Sequence, residues 1–380
     1  MRTLPVFLVF LVMGVADAMG PLADVVARNY HLSQFMATLL TFFVFIAFAL
    51  FSVPGGILAA RLGKKKLLLL GLGLNTLAVA VPVLITPGFP LLLLCIFILG
   101  VGTTLLQVSG NPIMRDVSPA GAYSRNLALA QGIKGLGSFG SAWLVGGLAA
   151  LLPFAMGWRS AFPIFLVLMV LALVLVAGLK IAEAPAEIPP GIGSSLSLLR
   201  VPAFLLAVVG IFLYVGAEVC MARFLKPTLV GFGLTEGRAA LYGPSFFFGA
   251  LTVGRLVAGS LKVSARVFFR LSAFLGLLGL IMIMSAGKNF VLAGIVVAGL
   301  GFANIWPMLF SITVEEKPER ASELSGLMCM AISGGAIVPL LMGKLIDSGV
   351  TSLAYVVPLS CFAYLLLLSW QGGKKTRVQQ

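Results

Sequence analysis

The sequence predicts an all-α polytopic membrane protein: twelve transmembrane helices in two pseudo-symmetric six-helix bundles. Three observations carry that expectation. Apolar residues fall into repeated runs of about twenty, basic residues gather in alternate loops, and landmarks of the first half recur about 198 residues later. Of the 380 residues 60% are hydrophobic and only 10% charged, with a mean hydropathy of +1.11. A soluble domain carries about 25% charged residues, so this chain lacks the polar side chains to clothe a water-facing surface of its size. A soluble enzyme, a disordered chain and a nucleic-acid-binding module are excluded. The net charge of +14 serves membrane orientation instead.

About twenty apolar residues in a helix cross a hydrocarbon core of about 30 Å. Such spans read at 4–27, 35–60, 66–86, 90–113, 126–150 and 158–180, then at 201–224, 238–260, 267–286, 290–312, 324–346 and 351–370. Arg2, the apolar stretch after it and Ala16-Asp17-Ala18 mimic a signal peptide. The acidic residue at the mock cleavage site and the internal duplication both favour its retention as helix 1. An inside N-terminus places 17 of the 26 Lys and Arg at the cytoplasmic side, with both termini there. The stretch 181–200, rich in Pro, Gly and Ser, reads as a cytoplasmic linker between an N-terminal bundle (1–180) and a C-terminal bundle with a short tail (201–380).

Duplication supports that division. Gly56-Ile-Leu-Ala-Ala matches Gly254-Arg-Leu-Val-Ala, 198 residues on, and Pro119 through Leu127 resembles Pro318 through Leu324, 199 residues on. Parallel repeats of this kind belong to carriers that bind a solute near the membrane midplane between the repeats.

A charge at a helix centre costs about 2.5–3.5 kcal/mol on insertion scales, so each needs a reason. Asp24 and Arg223 fall near helix ends, where they snorkel to water. Asp17, Lys134 and Glu218 fall deeper and are expected to line a polar cavity; the alternative is a buried structural pair of Asp17 with Lys134. Uncharged polar residues share faces at three- and four-residue spacing: Gln107 with Asn111, Gln131 with Lys134, Tyr214 with Glu218, and Asn304, Trp306 and Ser311 on helix 10. Amides offer donor and acceptor together, and an aromatic plane packs on the C–H face of a ring. The combination suits a polyhydroxylated ligand. Interhelical hydrogen bonding is the plainer use of the same groups.

Gly135-x-Gly137-x-x-Gly140 lies inside a span with no preceding strand, so it reads as a close helix contact and not as a nucleotide loop. Gly14, Gly20-Pro21, Asn111-Pro112, Pro307 and Gly334-Gly335 with Pro339 mark bends. Cys95, Cys220, Cys329 and Cys361 lie in apolar runs without a CxxC pair and read as packing residues. His31 alone makes no histidine metal centre, and no metal or catalytic residue is expected.

The loop Gly56-Ile-Leu-Ala-Ala-Arg-Leu-Gly-Lys-Lys-Lys resembles the helix 2–3 signature of the major facilitator superfamily, with Ala60 where an aspartate is usual. That resemblance implies gating roles for Arg61 and, in the second half, Arg255. Gly100-Val-Gly, Gly110-Asn-Pro112, Leu129-Ala-Gln131, Tyr214-Val-Gly-Ala-Glu218 and the block from Phe310 to Gly343 resemble the fucose–galactose–glucose proton symporter branch. The branch implies sugar contact at the position of Asp17 and coupling carboxylates at those of Gly20 and Gln107. It keeps a glutamine at Gln131 and has an asparagine where Lys134 stands. Both usual coupling carboxylates are thus absent, leaving Asp17 and Glu218 as candidates. The 198-residue offset sets Glu218 opposite the vacated Gly20.

The expected function is a secondary carrier of a small hydrophilic solute, a hexose or related sugar, driven by a proton or sodium gradient. Gln107, Asn111, Gln131, Lys134, Tyr214, Asn304 and Trp306 would contact substrate, and Asp17 and Glu218 would take the cation. No other cofactor and no nucleic acid is expected; the chain would act as a monomer among lipids of a bacterial inner membrane. The competing reading is a carrier of an organic anion or sugar acid held by Lys134. A membrane enzyme or a non-transporting sensor on the same scaffold are the alternatives of another class.

Overall fold

A computed structural model describes residues 3–15, 19–32, 34–151, 157–179, 190–285, 290–347 and 354–371. Asp17 and residues 180–189 lie outside the described residues. The described residues contain no strand. In chain order their α-helices are α1 (Leu4–Met13), α2 (Met19–Asn29), α3 (Gln34–Leu62), α4 (Lys64–Leu84), α5 (Phe89–Val117), α6 (Tyr123–Leu151), α7 (Phe162–Ala177) and α8 (Ile192–Ser197). The second half adds α9 (Pro202–Gly231), α10 (Glu236–Ser260), α11 (Ala265–Ser285), α12 (Val291–Ala303), α13 (Ile305–Glu316), α14 (Ala321–Met330), α15 (Gly334–Asp347) and α16 (Val356–Gln371).

Each of the twelve expected spans coincides with one helix or two consecutive ones. Nine helical stretches among the described residues are long and apolar enough to cross a membrane. Proline in the first turn of α1, α5, α7 and α9 suits those starts, where no intrahelical N–H bond is lost. The reversal from α3 into α4 turns on Gly63 alone, at φ 96°, a conformation that a Cβ would strain.

Three spans read as continuous are broken. The first divides into α1 and α2, with Gly14 at the C-cap of α1. The tenth breaks at Asn304, between α12 and α13. The eleventh breaks at a 3₁₀ turn, Ala331–Ser333, between α14 and α15. The expected linker 181–200 is also helical in part, through α8 and a 3₁₀ turn at Leu198–Arg200.

The chain forms two compact units: residues 1–123, 130–198 and 317–330, and residues 124–129, 199–316 and 331–380. They depart from a division at the linker by a reciprocal exchange. The start of α6 belongs with the second unit, and α14 belongs with the first. The two exchanged stretches are those that the 199-residue repeat relates.

In the first unit α5 packs on α3 and α4, α4 on α7, and α14 on α3 and α5. Small residues let these backbones approach. A Cβ added to Gly326 of α14 would stand 2.7 Å from the Ser52 carbonyl and 3.2 Å from Gly56 Cα of α3. Gly137 of α6 fits against the Leu11 carbonyl of α1, the close contact expected of that glycine string. In the second unit α12 packs on α10 and α11, and α9 on α10, α15 and α16. Phe302 stacks on Phe362 at 4.1 Å and meets Phe247 at 5.1 Å between ring centroids, and Gly276 leaves the room that the Phe362 ring fills.

Candidate functional site: intramembrane polar clusters

The cluster in the second unit begins with a proline. In an unbroken helix the Ala303 carbonyl accepts from the N–H four residues on, but that residue is Pro307, which has none. The helix breaks at Asn304 (φ −110°, ψ 4°). Arg255 reaches over from α10 and its Nε donates to the stranded Ala303 oxygen at 3.0 Å. Asn304 answers in the other direction, its Nδ2 donating to the Gly254 carbonyl at 3.2 Å. The same guanidinium donates through Nη2 to the Tyr214 hydroxyl at 3.2 Å and stands 3.7 Å from Oε1 of Glu218. Arg255 is 7% exposed, whereas the Glu218 side chain keeps 22% of its surface open.

This placement differs from that of Arg61. Arg255 is not a loop charge equivalent to Arg61; the 198-residue offset sets it opposite Ile57, one turn deeper, where it faces into the bundle. Tyr214, Glu218 and Asn304 are brought together around it. Trp306, 4% exposed, lies just beyond the break and packs on Phe310 at 5.6 Å between ring centroids.

In the first unit Gln107 and Asn111 are buried one turn apart on α5, at 4% and 0% exposure. Asn111 Nδ2 points at the Cys329 sulfur of α14, 4.0 Å away, and Ser325 one turn earlier donates to the Val108 carbonyl at 2.7 Å. Gln131 is buried and Lys134 half-buried on α6; the charge of Lys134 reaches the Cys329 thiol. Gly14 seats the end of α1 against the Lys134 backbone. Cys329 was legible only as an apolar packing residue, because nothing in its own span shows that α5 supplies an amide opposite. All four cysteines are free and buried.

Several buried polar atoms have no hydrogen-bond partner among the described residues. They include three amide oxygens, Gln107 Oε1, Asn111 Oδ1 and Asn304 Oδ1, and one indole donor, Trp306 Nε1. The Asn304 assignment is fixed by the Gly254 carbonyl that its nitrogen must face. Buried polar atoms are nearly always satisfied in folded proteins, so such groups call for an explanation.

Beyond the α3 terminus the charges form a second system. Arg61 donates through Nε and Nη2 to the Pro190 carbonyl, at 3.3 and 3.0 Å. Glu323, 6% exposed, accepts from both Arg320 Nε (2.7 Å) and Nη2 (2.6 Å) and from Ser195 Oγ of α8 (2.9 Å). Arg320 Nη2 also donates to the Ser194 carbonyl at 2.8 Å. Lys64, at the start of α4, pairs with Asp116 at the end of α5. Arg223 is exposed, over the Phe224 ring, but α9 runs on past it to Gly231, so it does not stand near a helix end as expected. A cavity of about 320 Å³ near the end of α13 is lined by Arg266, Glu315 and Glu316, about three turns from the Asn304 break, and is no part of the polar clusters.

Long apolar helices, two of them interrupted where buried amides and an ion pair gather, define a multi-pass membrane protein with the build of a carrier. The Major Facilitator Superfamily model matches residues 6–339, and the chain belongs to that family. It is 27% identical over 363 residues to a glucose/galactose transporter of Brucella abortus, covering 91% of this chain and 87% of that one. To the L-fucose-proton symporter of Escherichia coli it is 25% identical over 380 residues, covering 90% and 86%. Its fold matches the crystal structure of the transporter FucP in the outward conformation with a TM-score of 0.81 at 21% identity, over 97% of this chain and 98% of that one. It also matches the proton:xylose symporter XylE bound to 6-bromo-6-deoxy-D-glucose, with a TM-score of 0.78 at 15% identity over 97% and 94%.

Proposed function

We propose that the chain carries a hexose or closely related sugar across a bacterial inner membrane by alternating access, driven by a proton gradient. The observation that carries this reading is the presence, in the two polar clusters, of buried amide oxygens without a partner among the described residues, those of Gln107, Asn111 and Asn304. Sugar hydroxyls donate hydrogen bonds to such oxygens; a carboxylate has only acceptors to offer them. The names of the relatives agree with a sugar. Gln107 and Asn111 of the first unit and Asn304 and Trp306 of the second bind hydroxyls, Gln131, Lys134 and Tyr214 add further contacts, and Asp17 and Glu218 take the proton. Both termini are cytoplasmic, the protein works as a monomer in lipid, and it needs no cofactor beyond the coupling cation. It catalyses no chemical conversion. Arg61, by holding Pro190, belongs to the gate.

A second reading, transport of a sugar acid or other organic anion, rests on Lys134, a half-buried ammonium within a span. Purified protein in proteoliposomes, given radiolabelled D-glucose, D-galactose and their uronic acids under separately imposed proton and sodium gradients, tests both. The expected result is accumulation of a neutral hexose driven by the proton gradient. Accumulation of the uronic acids alone overturns the hexose, and accumulation on sodium alone overturns the proton.

A further inference from the structure

We infer that the end of the second unit where α11 begins and α16 ends binds the headgroup of an anionic phospholipid, a phosphodiester of net negative charge such as phosphatidylglycerol, through Arg270 and Trp370. Arg270 stands about 7.5 Å beyond the start of α11 at Ala265. Helical side chains lean toward the N-terminus, which for α11 is the nearer membrane surface, so the guanidinium rises toward the headgroups. It lies over the indole of Trp370, 4.1 Å from the ring centroid. That indole belongs to the last turn of α16, which packs on α11, and is 62% exposed.

The arginine is otherwise unspent. Its Nε is enclosed with no acceptor, and the guanidinium forms no ion pair among the described residues. An indole attracts the cation by its face but offers the N–H edge no acceptor oxygen. Of the elements packed on α11, α12 and α16 carry no charged residue. The carboxylates of α13, Glu315 and Glu316, line the cavity with Arg266, one turn nearer the surface. A buried donor without an acceptor calls for a partner from outside the chain.

The surroundings say which partner. Val267 and Phe274, three and four residues from Arg270, and Leu367, three from Trp370, share faces with them and are exposed. In a multi-pass membrane protein that surface meets lipid tails, so the occupant is apolar below and anionic at its head. A phosphodiester presents a pair of free oxygens that fits the guanidinium fork. Ring and phosphate do not compete, because one takes the face of the plane and the other its edge. Lys262 before α11 and, in the sequence after α16, Lys374, Lys375 and Arg377 favour a net negative headgroup over a zwitterionic one.

The test strips the purified protein of lipid in detergent and titrates it with dioleoylphosphatidylglycerol, dioleoylphosphatidylcholine or inorganic phosphate, counting bound molecules by native mass spectrometry. The parent is expected to hold phosphatidylglycerol severalfold more tightly than phosphatidylcholine and to ignore inorganic phosphate. Arg270→Gln is expected to lose that preference, Arg270→Lys to keep part of it, since an ammonium has the charge without the fork, and Trp370→Ala to weaken it. Arg223→Gln, which removes another exposed arginine beside an aromatic ring, is expected to leave it intact.

Equal retention of both lipids by the parent, or an unchanged preference in Arg270→Gln, overturns the inference. So does an equal loss in Arg223→Gln, which assigns the effect to net charge, and so does phosphate binding as tight as that of the lipid, which assigns it to a soluble anion. Should Arg270→Gln fail to fold, Arg270→Lys and Trp370→Ala decide by the same criteria. No transported solute enters the test, so its failure leaves the sugar reading standing.

Discussion

Two arginine–carboxylate pairs in this molecule are built in opposite ways. Arg320 and Glu323 share a bidentate contact at 2.6 and 2.7 Å, and Ser195 holds the carboxylate from a third side. Arg255 and Glu218 stand 3.7 Å apart, with the arginine divided among a carbonyl, a phenol and the acid. The tight pair is saturated, and moving it breaks several charge-assisted hydrogen bonds at once. The two pairs hold different things: the first clamps α8 to α14, and the arginine of the second also holds the helix break at Ala303.

The comparison breaks first at the clamp. Arg320→Ala leaves Glu323 buried without its counter-ion, a loss on the order of 3 kcal/mol. Thermal denaturation in detergent should show a Tm drop of several degrees, while the surviving protein keeps its accumulation ratio. A changed ratio with unchanged Tm would put the clamp, too, on the coupling path. A smaller effect sharpens the loose pair. Tyr214→Phe removes one hydrogen bond from Arg255, worth about 1 kcal/mol, and should lower the Tm by a degree or two. The smallest effect is the control. Lys226 and Glu236 are only 2.7 Å apart, yet both are exposed. Lys226→Ala should leave Tm and transport unchanged, because water screens such a pair whatever its length.

The spans were legible because hydropathy counts residues one by one and the bilayer fixes how many are needed. Gly14, Pro307 and Gly334-Gly335 announced the three breaks. What the sequence hid was partnership. Arg255 lies near a helix end, where a basic residue ordinarily snorkels, and its acid is 37 positions away on another helix. Only the stranded Ala303 carbonyl explains its inward turn, and Pro307 was the available signal. Glu323 was likewise unreadable, since its burial depends on Ser195, which lies in a stretch that reads as linker. The amides at Gln107, Asn111 and Asn304 were found by spacing, but which of their atoms go unpartnered follows from packing alone.

The assignment of α14 to the first unit has a consequence for biogenesis. The surface of α3 around Gly56 is shaped for Gly326, which the ribosome makes about 130 residues after the rest of that unit ends at residue 198. At 5–20 residues per second this is a wait of roughly 7 to 26 s. Throughout that interval a nascent chain carries an uncovered glycine groove in the bilayer, open to lipid tails, to an insertion chaperone or to the wrong helix.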